Sequence, residues 1–149
     1  MKAFIIDDDP ILLAMLCFML TDSGIDAQYC LSPVPDSMVD DLVIFQPDVI
    51  VLDLYLKNES GFDVASKIRS KEELQHIPIL AMSSSKELQD RISAFTSGFL
   101  EYINKPFSKE DIIAAVKRNG YSNEIIKLCN RIQKREEDDR DLYTGIFEK

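Results

Sequence analysis

The sequence predicts a doubly wound α/β fold, five parallel strands with helices on both faces, and three observations carry that expectation. Short apolar runs recur at regular intervals along the 149 residues. The segments between them, roughly 16–25 residues each, are long enough for the crossovers that parallel strands require. Signals for helix starts and stops fall inside those segments, so strand and helix alternate five times.

The strands are read in order as "AFII" at 3–6, "DAQYC" at 26–30, "VIVL" at 49–52, "PILAM" at 78–82 and "FLEYI" at 99–103. The first, third and fourth are near-continuous apolar runs, as expected of strands covered on both faces. The second and fifth are more mixed, which suits the edges of a sheet. Asp9 is placed to cap the first helix with Pro10 at its first helical position. Ser84 with Glu87, and Ser108 with Asp111, are spaced as capping boxes. Gly24 and Gly98 stand where helices should stop, and Gly120 is read as the end of the fifth.

Residues 1–119 are therefore assigned to one domain and 120–149 to a C-terminal helical extension or linker stump. In the latter, Ile125, Leu128, Cys129 and Ile132 lie at helical spacing, ahead of the charged run "KREEDDRD" and the apolar "LYTGIF". From Ile132 to Tyr143 is about three helical turns, so both apolar ends share a face if the helix continues. Gly145 weakens that last portion by about 1 kcal/mol relative to alanine.

In an open α/β sheet the functional crevice lies outside the carboxyl ends of the strands. Asp7, Asp8 and Asp9 follow the first strand, Asp53 the third, Ser83 the fourth and Lys105 the fifth, whereas "YCLSP" after the second carries nothing ionisable. With the order 2-1-3-4-5, every chemically active residue falls in one contiguous row, and the strand without one lies outside it. Carboxylates gathered there repel one another unless a divalent cation joins them, and oxygen ligands suit magnesium. Asp53 then stays ionised as a nucleophile, with the Lys105 ammonium and Ser83 hydroxyl beside a phosphoryl group.

The acidic pair, "DLYLKNESG" with its glycine eight residues past Asp53, the hydroxyl residue 30 positions beyond that aspartate and "KPF" 22 positions later resemble the receiver domain of two-component response regulators. The resemblance covers residues 1 to about 119 and implies a flavodoxin-like fold. It implies that Asp53 is the phosphoacceptor, that Asp7, Asp8, Asp53 and the backbone carbonyl of Tyr55 bind Mg2+, and that the Lys105–Pro106 bond is cis. It further implies a switch in which Ser83 moves toward the phosphoryl group and Tyr102 turns into the vacated space. The implied partners are a sensor histidine kinase or histidine phosphotransfer protein, a downstream protein target and, in some assemblies, a second copy. Two positions depart from the pattern: Lys57 stands where proline is usual, and neither Tyr55 nor Ser85, at positions that tune acyl-phosphate hydrolysis, supplies an acid or amide.

Each residue also has a plainer reading. Asp9 serves as a cap; Ser83, taken alone, belongs to a capping serine run; an isolated Lys105 is a solvated lysine; Tyr102 is strand packing as readily as a switch. Met15, Met19 and Met82 read as core filler. His76, the single histidine, has neither metal-ligand companions nor a phosphodonor's place on a helix face.

A formal charge of −9 argues against direct nucleic-acid or anionic-membrane binding. "ILLAMLCFML" is too short to span a bilayer, and no glycine pattern for nucleotide phosphates is present. Cys17, Cys30 and Cys129 show no CxxC pairing and read as buried, reduced thiols. A cytoplasmic protein follows, a non-enzymatic phosphoacceptor whose output is protein contact, since the extension is short for a winged-helix module. The alternatives are a magnesium-dependent aspartyl-phosphate phosphatase, for which "DDDPI" offers Asp7 as nucleophile, and a receiver detached from a longer regulator.

Overall fold

The computed structural model describes residues 1–147, with side chains through residue 142. Five strands, β1 (Lys2–Asp7), β2 (Asp26–Leu31), β3 (Val49–Asp53), β4 (Ile79–Ser83) and β5 (Glu101–Asn104), form one sheet in the order β2-β1-β3-β4-β5. Every neighbouring pair is parallel. Strands β1, β3 and β4 are buried along almost their whole length, while β2 and β5 are the partly exposed edges. The fifth strand starts two residues later than the sequence suggests. Phe99 is buried in the core but precedes the strand, so its apolar character reports packing and not strand pairing.

The helices are α1 (Pro10–Asp22), α2 (Met38–Phe45), α3 (Gly61–Arg69), α4 (Leu88–Thr96) and α5 (Lys109–Phe147), with a short 3-10 turn at Glu72–Leu74. Alternation along the strands splits the core in two. Phe4 and Ile6 of β1 face Met38 and Leu42 of α2, Val64 and Ile68 of α3 and Ala94 of α4. Ala3 and Ile5 point the other way, toward Leu13, Leu16 and Leu20 of α1 and Ile112, Ala115 and Val116 of α5. Each of the large aliphatic side chains fully enclosed this way contributes about 1.5–3 kcal/mol of apolar transfer.

Asp9 caps α1 as expected, its Oδ1 accepting from the N–H groups of Ile11 and Leu12, with Pro10 at the first turn. Gly24 and Gly98 follow α1 and α4 with φ of 87° and 93°, a conformation that favours glycine. Ser108 Oγ accepts from Asp111 N at 3.1 Å and begins α5. Ser84 does not cap α4. The helix starts at Leu88, and Ser85 Oγ accepts from Glu87 N instead.

Three further expectations are corrected. Gly120 does not end the fifth helix: α5 runs on for 39 residues. The absence of a side chain there serves a close approach, since a Cβ would lie 2.6 Å from Met1 Sδ. Cys129 is exposed and Cys17 and Cys30 are only partly covered. Met15 is exposed, because Leu13, Leu16 and Leu20 already fill the inward face of α1. The suggested sharing of a face by Ile132 and Tyr143, and the cost of Gly145, fall on side chains outside the described residues.

Beyond Gly120, α5 is tied to the amino edge of the sheet. Asp48, buried ahead of β3, accepts from Lys2 N at 2.8 Å and from Lys127 Nζ at 2.8 Å. The chain's amino terminus lies 3.1 Å from Glu124.

Gly61 opens α3 hard against the end of β3, where a Cβ would stand 2.2 Å from Asp53 O and 2.6 Å from Leu54 Cα. Both obstacles are backbone and cannot swing aside. Gly61→Ala is therefore expected to lower stability by about 1–3 kcal/mol, as overpacking typically does, measured as a reduced urea midpoint at unchanged m-value; a midpoint equal to that of the unaltered protein contradicts the steric argument.

Candidate phosphoryl and metal site

Parallel pairing sets the ends of β1, β3, β4 and β5 side by side, and the residues just beyond them form one pocket. Carboxylate oxygens of Asp7, Asp8 and Asp53 all lie within 4.8 Å of one another. Asp7 is fully buried and Asp53 is 6% exposed. Lys105 reaches in from the end of β5, its Nζ donating to Asp7 Oδ2 at 2.8 Å and to Asp53 Oδ2 at 2.6 Å. Lys105–Pro106 is cis, as the resemblance implies; Ser32–Pro33 is a second cis bond.

Backbone donors hold three of the four remaining carboxylate oxygens. Asp9 N donates to Asp7 Oδ1 at 2.9 Å, and Tyr55 N donates to Asp53 Oδ1 at 2.9 Å. Lys57 N donates to Asp8 Oδ2 at 2.8 Å, across from the β3–α3 loop. Proline at position 57 has no N–H to give, so the departure from the usual pattern adds a donor to the acidic cluster. Two opposing influences act on Lys105: burial pushes its pKa down, but the hydrogen bonds and charges of Asp53 and Asp7 together outweigh it, and the net direction is up.

Three carboxylates against one ammonium leave two negative charges uncompensated among these four side chains. The donors are all oxygen, the chemistry that suits a hard dication of the magnesium kind. Fit therefore rests on charge and donor type alike.

Ser83 ends β4 and Tyr102 lies within β5, as expected, but among the described residues no hydrogen bond joins either to the acidic cluster. Ser83 is buried, and its Oγ accepts from Ser85 N at 3.0 Å. Tyr102, half-buried, donates from Oη to Ser85 O at 2.9 Å, and Asn104 Nδ2 donates to the same carbonyl at 2.7 Å. Ser85 Oγ donates to Asp90 on α4, and the Tyr55 hydroxyl also hydrogen-bonds that carboxylate. The Asp90 contact comes first among the causes that push the Tyr55 hydroxyl up to about 12, ahead of burial and neighbouring charge. The Ser85 hydroxyl, followed by that of Tyr55, holds the Asp90 carboxyl below the usual carboxylate range.

Sequence reasoning missed Asp90 and the Lys57 N–H. Asp90 sits in the first turn of a helix, where an acid ordinarily marks only a favourable dipole contact, and a backbone donor has no signature in side-chain spacing.

An all-parallel sheet with such a pocket outside its carboxyl edge defines the class: a flavodoxin-like α/β domain with an acidic cluster at that edge and a lysine aimed into it. The family model for the response regulator receiver domain matches residues 3–117, and the chain belongs to that family. It is 34% identical over 116 residues to the DNA-binding dual master transcriptional regulator RpaA of a Synechocystis species, a match covering 78% of this chain and 47% of that protein. The chain spans about half the length of the curated relatives it matches. In fold it is similar to chemotaxis protein CheY4 of Vibrio cholerae, with TM-score 0.72 at 19% identity over 79% of this chain and 97% of that one. It is also similar to the receiver domain of a sensor histidine kinase of Pseudomonas aeruginosa, described with magnesium ion coordinated in its active site cleft; the TM-score is 0.67 at 22% identity, over 80% and 96% of the two chains. Receiver domains are signalling domains of two-component systems, bind Mg2+ in an acidic pocket and interact with histidine kinases. Among the described residues no helix is long and apolar enough to cross a membrane.

The raised pKa of Lys105 fixes the sign of a pH effect. Its ion pairing supports the fold fully below the ordinary lysine value of 10.5, and the support is lost as pH climbs through the raised folded-state value. Lys105→Met strands two buried carboxylates and is expected to cost about 3–5 kcal/mol at neutral pH, the usual result of breaking a buried pair from one side. The difference from the unaltered protein should shrink only above pH 10.5 in chemical denaturation, and a difference that already vanishes between pH 8 and 9 contradicts this assignment.

Proposed function

We propose that this chain is a response regulator receiver that accepts a phosphoryl group on Asp53 from a partner phosphohistidine and switches a protein-interaction surface. The observation that carries the reading is the double contact of Lys105 Nζ with Asp53 and Asp7 inside the acidic cluster. Asp53 Oδ1 is fixed by Tyr55 N, so the carboxylate is presented in one orientation for in-line attack on phosphorus. Nucleophilic attack by Asp53 forms a carboxyl–phosphoryl bond and breaks the bond from phosphorus to the donor nitrogen, which leaves with its electron pair. Lys105 then has an anionic phosphoryl oxygen to hold as well as a carboxylate.

Asp7, Asp8, Asp53 and the Tyr55 carbonyl are the residues proposed to hold Mg2+. Once bound, that ion supplies charge neutralisation among the carboxylates and toward the phosphoryl oxygens. Asp7 and Asp8 are oriented by Asp9 N and Lys57 N, so the pocket keeps its shape without a ligand. Ser83 and Tyr102 are assigned the switch. The Ser83 hydroxyl moves toward the phosphoryl group, and this releases the Ser85 segment to which Tyr102 is bonded. Residues 1–119 make up the receiver and 120–149 its extension, in a cytoplasmic setting. The output is a protein contact, and self-catalysed dephosphorylation completes the cycle.

Acetyl phosphate with Mg2+ is expected to label Asp53 stoichiometrically, read by intact-mass spectrometry, and Asp53→Asn should take no label. Rapid turnover through Asp7 would favour the phosphatase alternative and overturn the receiver reading. The hydroxyls of Tyr55 and Ser85 are both engaged by Asp90, and neither residue offers an acid or amide to aim a water at phosphorus. The phosphorylated protein should consequently persist for many minutes after the donor is removed; decay within seconds in the purified protein defeats this expectation.

A further inference from the structure

The β3–α3 loop, residues 54–60, brings the main chain of Tyr55 and Lys57 to the acidic pocket, and one of its side chains is tied elsewhere. Glu59, partly buried, turns toward the segment that follows β2. Its Oε1 accepts from Ser32 Oγ at 2.6 Å and from Val34 N at 2.7 Å. Ser32 is itself anchored, because its N–H donates to Asp7 O at 2.9 Å. Two residues before Glu59, Lys57 N donates to Asp8 Oδ2 at 2.8 Å. These bonds close a ring. It runs from Asp7 to Ser32, across to Glu59, along the loop to Lys57 and back to Asp8 beside Asp7.

The ring gives the segment after β2 a part in the site, although "YCLSP" offers it no acid or base. The base of the β3–α3 loop is closed by Gly61 N on Leu54 O and by the bridge between Tyr55 and Ser60. Leu56 is buried beneath it. Lys57 and Asn58 are exposed at its tip, so the direction of the Lys57 N–H depends on how Glu59 is held. Hydrogen bonds to an ionised acceptor are the strong ones, and Glu59 accepts two. It is not a member of the acidic cluster, which is Asp7, Asp8 and Asp53. We propose that Glu59 is a positioning residue for the cation site: by clasping Ser32 and Val34 it sets the loop so that Lys57 N–H orients Asp8. Magnesium tolerates little departure from octahedral geometry, so the orientation of a carboxylate ligand bears directly on affinity. The inference rests on the Mg2+ site proposed above and adds the residue that braces it.

Titration of the full chain with MgCl2, followed through its backbone amides by NMR, is the test. Glu59→Ala removes both bonds and is expected to weaken Mg2+ binding about tenfold, the lower end of what lost outer-shell support costs. Glu59→Gln keeps a carbonyl oxygen able to accept from both donors and should bind within about twofold of the unaltered protein. Ser32→Ala leaves only the Val34 bond and should fall between them. A second readout needs no metal: solvent exchange of the Lys57 N–H should quicken in Glu59→Ala and stay unchanged in Glu59→Gln. Unchanged Mg2+ affinity in Glu59→Ala overturns the proposal, as does Lys57 exchange at the unaltered rate. An equal loss in Glu59→Gln overturns it too, because charge and not position would then be the cause. If the unaltered protein neither binds Mg2+ nor takes a phosphoryl label on Asp53, the receiver reading falls together with this one. Binding and label retained beside an indifferent Glu59→Ala sink this inference alone. Circular dichroism matching the unaltered protein confirms that each variant is folded.

Discussion

Charge compensation at the end of β1 and β3 is the constraint around which this molecule is arranged. Two acids, Asp7 and Asp53, are buried where water cannot solvate them, and one lysine from the far end of the chain answers both. An uncompensated charge in such a place is costly, so the pocket forms only when β1, β3 and β5 have all reached their places in the sheet. The strand order follows the same need. Any arrangement that separates β1 from β3, or moves β5 to the other edge, parts the lysine from its carboxylates. Chemistry and topology are thus a single requirement in this fold.

The rest of the carboxyl edge elaborates that requirement with backbone donors. Asp9 N, Tyr55 N and Lys57 N each fix one carboxylate oxygen, which leaves the acidic cluster oriented before any ligand arrives. Gly61 lets α3 close directly over Asp53, where a single methyl group would collide with main-chain atoms. Outside this ring, Asp90 gathers Tyr55 and Ser85, and the Ser85 carbonyl gathers Tyr102 and Asn104. A change in the position of Ser83 therefore has a hydrogen-bonded route to the surface of α4 and β5, one that begins at Ser85 N.

Much of this was legible in the sequence, for definite reasons. Strands β1, β3 and β4 are covered on both faces and so are written as unbroken apolar runs; Asp7, Asp8, Asp53 and Ser83 declare themselves because each sits just past such a run, whereas Lys105 follows the more mixed fifth strand and is marked by the "KPF" it opens. Caps at Asp9 and Ser108 have local signatures. Gly120 misled because glycine at a helix stop and glycine at a tight crossing look the same in one dimension; only the position of Met1 distinguishes them. Phe99 misled because burial outside a strand has the same composition as burial within one. The Asp48–Lys127 contact joins residues far apart in the chain and gives no periodic signal at all.

That last contact gives α5 a mechanical character. At about 1.5 Å per residue, its 39 residues make a rod of about 58 Å, longer than the sheet it crosses. One end begins just after Pro106, beside Lys105, and the rod is pinned again at Lys127 on the opposite edge. A tilt of its first turns, transmitted about that pin, becomes a sideways sweep of the free end. A rod held at both places would carry any such tilt to the segment past Lys127 enlarged in proportion to its length, as a lever does about its fulcrum.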